Sequence, residues 1–256
     1  MSRIHEAFYN KKAFIPFFTC GDPDIETTKK LIYEAVKNGA DLIELGIPFS
    51  DPTAEGPVIQ DATMRALEGG MTTDIVFNLV EEIRSDITIP LVFMTYANVV
   101  YSYGIEDFVI RCNKVGIDGI ILPDVPYEEK GEFQPICSKY GVDFISFIAP
   151  TSKERIAMIA KEAEGFLYIV SSLGVTGTRS EITTDLGSII KEVRKNTDIP
   201  CAIGFGISNP KQAKDMSLIA DGVIVGSAIV KQIAVKGRDS VEDIGQFIKE
   251  MKQAIE

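Results

Sequence analysis

The sequence predicts an α/β protein built as a closed (β/α)8 barrel, and three observations predict it. The first is a set of eight short apolar runs: Ala13–Phe18, Asp41–Ile47, Ile89–Thr95, Gly119–Leu122, Asp143–Ile148, Phe166–Val170, Cys201–Gly204 and Gly222–Val225. The second is that the runs are continuous rather than alternating, as parallel strands buried on both faces are. The third is that helix-like stretches lie between them and end at or near glycine. Strands alternating with helices imply βαβ units. Eight units in 256 residues match the roughly 250 residues of a TIM barrel.

The elements follow in order. A short extra helix is expected ahead of the first strand. That strand leads into Thr19-Cys20-Gly21-Asp22-Pro23, a turn signal rather than the GxGxxG of the alternative, a doubly wound sheet. Helices are expected over Thr27–Asn38, Ile105–Val115 and Lys130–Tyr140, each followed by Gly and then a strand with Asp at or just before its start: Gly39-Ala40-Asp41, Gly116-Ile117-Asp118 and Gly141-Val142-Asp143. Ala220-Asp221-Gly222 repeats the theme before the last strand. Gly is the usual residue just past a helix end. Long loops are expected after strands 2 and 6. No Pro/Gly/Ser-rich linker or low-complexity segment marks a boundary, so one domain, 1–256, is expected.

Composition narrows the function classes. Basic residues number 26 and acidic residues 37, a net charge of −11, with no basic stripe. That argues against nucleic acid and against an anionic membrane surface. It leaves a small anionic substrate open, because amides at a helix start hold phosphate without Lys or Arg. The four cysteines, Cys20, Cys112, Cys137 and Cys201, are scattered, and His5 is the sole histidine. No metal site is expected. Free thiols in a reducing compartment are the simple reading. No signal-like run or membrane-span-length apolar stretch occurs, so a soluble, cytoplasmic protein is expected.

Barrel chemistry sits at the C-terminal ends of the strands. Glu44, inside Leu42-Ile43-Glu44-Leu45-Gly46, is an acid in an apolar run. It is either a structural carboxylate hydrogen-bonded to a neighbouring loop or an acid–base group with a pKa raised by desolvation. The loop that follows carries Asp51 and Glu55 and three prolines. Those acids are either turn and surface chemistry or, for Glu55, the second carboxylate of an acid–base pair. Glycine-rich turns follow strands 6, 7 and 8: Gly174-Val175-Thr176-Gly177, Gly204-Phe205-Gly206-Ile207-Ser208 and Gly226-Ser227-Ala228. They make either tight βα turns or a phosphate cradle. Tyr96 ends the third strand as core packing or pocket wall, and Asp124 follows the fourth. Cys20 has no adjacent base and is read as packing.

These motifs, with Pro16-Phe17-Phe18-Thr19, Met94-Thr95-Tyr96-Ala97-Asn98, Pro123-Asp124-Val125-Pro126 and Glu44 through Pro52, resemble the tryptophan synthase alpha chain family over nearly the whole chain. The resemblance implies a lyase of tryptophan biosynthesis, cleaving indole-3-glycerol phosphate to indole and glyceraldehyde 3-phosphate. It implies no cofactor in this chain. It also implies a β-chain partner carrying pyridoxal phosphate, an α2β2 assembly, indole passed between the two, and weak activity until β binds.

Carried over by position, Glu44 matches the catalytic glutamate. Glu55 stands where the family has an aspartate that holds the indole N–H, so its carboxylate sits one methylene further out. Gly177, Gly206, Gly226 and Ser227 match the phosphate site. Phe17, Ile59, Tyr96, Tyr168 and Phe205 match the indole pocket. Thr176 matches a threonine of loop closure and Asp51 a loop residue at the β interface. A free-standing lyase, a catalytically weakened binding partner of β, and a sugar-phosphate isomerase are the competing readings.

Overall fold

Neighbouring apolar runs pair in chain order, and the last closes on the first. The structure, a computed structural model, describes residues 2–170, 185–204 and 206–256. Its strands are β1 (Ala13–Thr19), β2 (Ile43–Gly46), β3 (Leu91–Met94), β4 (Gly119–Ile121), β5 (Asp143–Ile148), β6 (Leu167–Val170), β7 (Cys201–Gly204) and β8 (Gly222–Val225). They form a closed barrel in which each neighbouring pair is parallel, β8 returning to β1 with Ala13 opposite Gly222. The expected (β/α)8 barrel is the observed architecture. The second and third runs shorten to Ile43–Gly46 and Leu91–Met94, although Ile47 and Thr95 just beyond them still donate to the Met94 and Ile121 carbonyls of the neighbouring strands.

The helices are α1 (Arg3–Phe8), α2 (Ile25–Lys37), α3 (Pro57–Glu68), α4 (Thr73–Ile83), α5 (Ala97–Tyr103), α6 (Ile105–Val115), α7 (Gln134–Lys139), α8 (Lys153–Lys161), α9 (Leu186–Arg194), α10 (Pro210–Ser217), α11 (Ser227–Lys236) and α12 (Val241–Ile255). The second helix starts ahead of its expected Thr27, because the Asp24 side chain accepts the Thr27 N–H at 2.7 Å and caps it. The helix expected over Lys130–Tyr140 is divided. A 3-10 turn, Lys130–Glu132, precedes α7. Pro135 in the first turn of α7 has no N–H to continue a helix from upstream. The extra N-terminal helix is α1. Of the two long loops, the first spans residues 47–56; the loop after β6 falls in 171–184, outside the described residues.

The two-residue period of the strands sorts the core into two layers. Phe14, Ile43, Leu45, Phe93 and Ile203 face outward onto Leu31, Phe77, Ile189 and Ile244 of the helices. Ile15, Phe17, Leu42, Val92, Ile121, Phe166, Tyr168 and Ile224 face inward. Both faces are apolar, which is why the runs do not alternate.

The N-terminal end of the barrel is plugged. Ile4, Ala7 and Phe8 of α1 join the inner cluster, with the Phe8 and Phe166 rings 5.7 Å apart. Glycine opens β8 because a Cβ at Gly222 would lie 2.9 Å from the Phe8 ring. The aspartates at the strand feet clamp their neighbours. Asp41, Asp118 and Asp221 accept the N–H of Phe14 (2.8 Å), Leu91 (2.9 Å) and Cys201 (2.7 Å). Each also meets a cation: Lys11 and Lys252, Arg3 and Arg84, and Arg194 respectively. With that end filled and clamped, the opposite, C-terminal end is where a ligand can enter.

Candidate active site

A cleft opens at the C-terminal ends of the strands. Glu44 reaches it because inward parity on β2 puts residues 42, 44 and 46 on the lumen side. It lies in register between Phe17 of β1 and Val92 of β3. Glu44 is 1% exposed, and its Oε2 has no hydrogen-bond partner among the described residues. Burial first, and then the charge of Glu55, pushes its carboxyl up to about 8.

Glu55 enters the same cleft from the loop after β2, two residues ahead of Pro57 at the start of α3. Its backbone is tied on both sides. Gln60 donates to the Glu55 carbonyl at 2.7 Å, and the Ala54 N–H donates to the Tyr96 hydroxyl at 3.2 Å. Glu55 is 7% exposed, and its Oε2 is likewise buried with no partner among the described residues. Burial pushes its carboxyl up to about 7, and a hydrogen bond from the Tyr96 hydroxyl works against that rise.

The far end of the cleft is made by Gly206, Gly226 and Ser227. Ser227 is the first residue of α11, and Gly226 caps that helix with no side chain of its own. The Gly226 carbonyl accepts the N–H of Ile229 and Val230, so the first turn is formed and its leading amides have no helix carbonyl to bind. A helix start of this kind favours an anion. Gly206 has φ +83, a left-handed conformation that favours glycine.

Phe17, Ile59 and Tyr168 supply apolar wall. Two glycines make room for the rings: a Cβ at Gly46 would sit 2.6 Å from the Phe17 ring, and one at Gly204 would sit 2.4 Å from the Tyr168 hydroxyl. Burial, then the charges of Glu44 and Glu55, raise the Tyr168 phenol well above its ordinary value. Met94, Ile207 and Ile224 also line the cleft and were not singled out from the sequence. Counting in twos from Val92 and Gly222 reaches Met94 and Ile224; nothing in the sequence marks Ile207.

Other expected site residues fall elsewhere. Tyr96 does not line the cleft; it stands behind Glu55, its ring 5.4 Å from Phe49. Asp51 is exposed on the loop after β2 and accepts the Ser50 hydroxyl at 2.5 Å. Thr176, Gly177 and Phe205 lie outside the described residues. Asp124 faces the Ala97 N–H with both oxygens at 3.1 Å, fixing the start of α5. Cys20 is fully buried, and burial pushes its thiol up to about 12, which fits packing rather than attack. Among the described residues no cluster of His, Cys, Asp and Glu could hold a metal ion. No helix among them is long and apolar enough to cross a membrane.

This arrangement offers two buried acids in an apolar cleft, with an anion seat at its end. The family model described as tryptophan synthase alpha chain matches residues 5–256. A tryptophan synthase alpha chain of Lacticaseibacillus casei is 47% identical over 256 residues, covering 100% of this chain and 96% of the relative. That of Lactiplantibacillus plantarum is 48% identical over 257 residues, covering 100% and 97%. The solved tryptophan synthase subunit alpha of Legionella pneumophila superposes with a TM-score of 0.90 at 37% identity, covering 100% and 98%. A tryptophan synthase complex of Pyrococcus furiosus gives a TM-score of 0.86 at 35% identity, covering 94% and 98%. The chain belongs to the tryptophan synthase alpha chain family.

Proposed function

We propose that this chain, one domain over 1–256, cleaves indole-3-glycerol phosphate by a retro-aldol reaction. The products are indole and glyceraldehyde 3-phosphate, and Glu44 and Glu55 are the catalytic acids. Family membership makes the chain a lyase of tryptophan biosynthesis. The observation that carries the residue roles is the pairing of two buried carboxyls in one cleft, each with an Oε2 that has no partner among the described residues.

The chemistry needs one group that gives and then takes a proton. Glu44, pushed up to about 8, holds its proton at neutral pH. It protonates indole C3, and the nitrogen lone pair fills in to leave a cationic ring. Its carboxylate then takes the proton of the glycerol hydroxyl beside the breaking bond. The carbon–carbon electrons return to the ring, the hydroxyl carbon becomes an aldehyde, and Glu44 ends as it began. Glu55 holds the indole N–H and balances the positive charge while it exists.

The phosphate sits on the amides of Gly206, Gly226 and Ser227 at the start of α11, which explains how a chain of net charge −11 takes a dianion. Phe17, Ile59 and Tyr168 hold the indole, with Tyr96 behind Glu55. The roles of Gly177, Thr176 and Phe205 rest on the resemblance.

The partner is a tryptophan synthase β chain in an α2β2 assembly, with pyridoxal phosphate in β and none here. The P. furiosus relative was solved as a complex, and the exposed position of Asp51 suits an interface. The cytoplasm is the proposed compartment. The test is indole release by wild type, Glu55→Gln and Glu55→Asp. The reading predicts a loss of about 10²-fold in Glu55→Gln and a several-fold loss in Glu55→Asp, whose carboxylate is drawn back. Full activity in Glu55→Gln would remove Glu55 from the reaction.

A further inference from the structure

We propose that Gln60 is a positioning residue for the reaction: its side-chain amide pins the Glu55 carbonyl to α3 and so aims the Glu55 carboxyl into the cleft. The proposal rests on the lyase reading above and adds the contact that orients one of its two acids.

The argument starts from the edge of a helix. Gly56 caps α3, and its carbonyl takes the N–H of Ile59 and the N–H of Gln60, each at 3.1 Å. The Glu55 carbonyl lies one residue further out, ahead of that ladder. It accepts instead from the Gln60 side chain, with Nε2 at 2.7 Å. A carbonyl only accepts, so the amide nitrogen and not its oxygen must face it. Gln60 lies on the exposed side of α3, so burial in the core does not account for it. The adjacent Ile59 is the residue that turns into the cleft.

The helix that Gln60 belongs to is a fixed reference. Ile59, Ala62, Thr63 and Ala66 are buried along its inner side. Further along, the Arg65 guanidinium meets both oxygens of Asp22, at 2.8 and 2.9 Å. Asp22 is 2% exposed and belongs to the loop after β1. Packing and a two-pronged ion pair thus hold α3 to the barrel. The Glu55 backbone is referred to that frame rather than left to a loop.

A glutamate in this place needs such a grip. A turn of about 15° at its backbone carries the carboxyl through about 1 Å, and a misplacement of about 1 Å can cost roughly 10²-fold in rate. The Glu55 Oε2 has no partner among the described residues, so the backbone must share in the aiming. On the other side of Glu55 the Ala54 N–H donates to the Tyr96 hydroxyl at 3.2 Å. The Gln60 bond is the shorter of the two, and it acts on a carbonyl of Glu55 itself.

The experiment compares Gln60→Met, which keeps the length and loses the donor, with Gln60→Lys, which keeps a donor. Gln, Met and Lys are similar helix formers, and the site is exposed, so both variants should fold as wild type does. Indole release is measured in the full chain with its β partner. Gln60→Met should lower kcat about tenfold, with KM changed less than about twofold. Gln60→Lys should stay within about threefold of the wild-type kcat. In a Glu55→Gln background, Gln60→Met should add no further loss. In crystals of the two variants, the Glu55 carboxyl should shift by about 1 Å in Gln60→Met and stay in place in Gln60→Lys.

Wild-type kcat in Gln60→Met, or an equal loss in both variants, would overturn the proposal. So would a Glu55 carboxyl that does not move in Gln60→Met. The crystal comparison needs no turnover, so it separates failure of this proposal from failure of the lyase reading, which would show as absence of cleavage by wild type.

Discussion

Glu44 and Glu55 come to one cleft from different kinds of backbone, a barrel strand and a proline-stiffened loop, and each keeps its Oε2 buried without a partner among the described residues. Burial lifts both, and the charge of Glu55 lifts Glu44 further. Buried and unpaired polar atoms cost stability, and here that cost sits where substrate would relieve it.

Replacing Glu44 with Gln should therefore act on activity and stability in opposite directions. Turnover should fall roughly 10²–10⁴-fold with little change in phosphate affinity. The folded carboxyl titrates near 8 against an ordinary 4.5, so the folded chain holds a proton that the unfolded chain has released. The stability it contributes is full below about 4.5 and is lost as pH rises through 8. Glu44→Gln should equal wild type near pH 4 and exceed it at pH 9 by on the order of 5 kcal/mol. Urea midpoints across that range check this. A variant less stable than wild type at pH 9 would contradict the burial of the charge.

The start of α11 should respond to charge more than to bulk. A Cβ at Gly226 would lie 3.5 Å from Phe17, an ordinary contact, so Gly226→Ala should fold and retain most binding. Gly226→Asp sets an anion against the phosphate seat and should raise KM at least about tenfold with a smaller effect on kcat. Equal KM values for the two variants would place the phosphate elsewhere.

Asp143 at the foot of β5 differs from its counterparts Asp41, Asp118 and Asp221 in having no ion pair among the described residues. Burial first, then Glu164 and Asp118, push it up to about 6 from 3.8. Its contribution to stability is full below about pH 4 and lost as pH rises through 6. Asp143→Asn should thus raise the Tm at pH 8 and leave it unchanged at pH 3.5. A lower Tm at pH 8 would show that the carboxylate is needed in its charged form.

Lys252 of α12 reaches back to the start of the chain. Its ammonium meets Asp41 at 2.8 Å and the Lys12 carbonyl at 2.9 Å. Asp41 keeps Lys11 and the Phe14 N–H when Lys252 is removed. The loss in Lys252→Met should accordingly be about 2 kcal/mol, less than for a buried pair broken outright. Denaturant unfolding measures it, and kcat should not change, because the clamp lies at the plugged end of the barrel.

The barrel was legible because eight runs without alternation can only be buried on both faces, and Glu44 because it interrupts such a run. The aspartates before the strands were visible as a repeat, but their work was not. The amide each one accepts belongs to a neighbouring strand, and only the register shows which. Tyr96 could be placed at a strand end, yet its bond to Ala54 spans 42 positions and leaves no local pattern. Met94, Ile207 and Ile224 are apolar residues among many, and lining a cleft gives them no mark that packing would not. The break before α7 was present in the sequence as Pro135.

Indole release from indole-3-glycerol phosphate, measured with and without a saturating tryptophan synthase β chain, tests the central claim most directly. A low rate from the folded chain alone that rises strongly with β is the predicted result, and it would show that Glu55 serves where the family has aspartate. No cleavage by the folded chain in either condition would contradict the account.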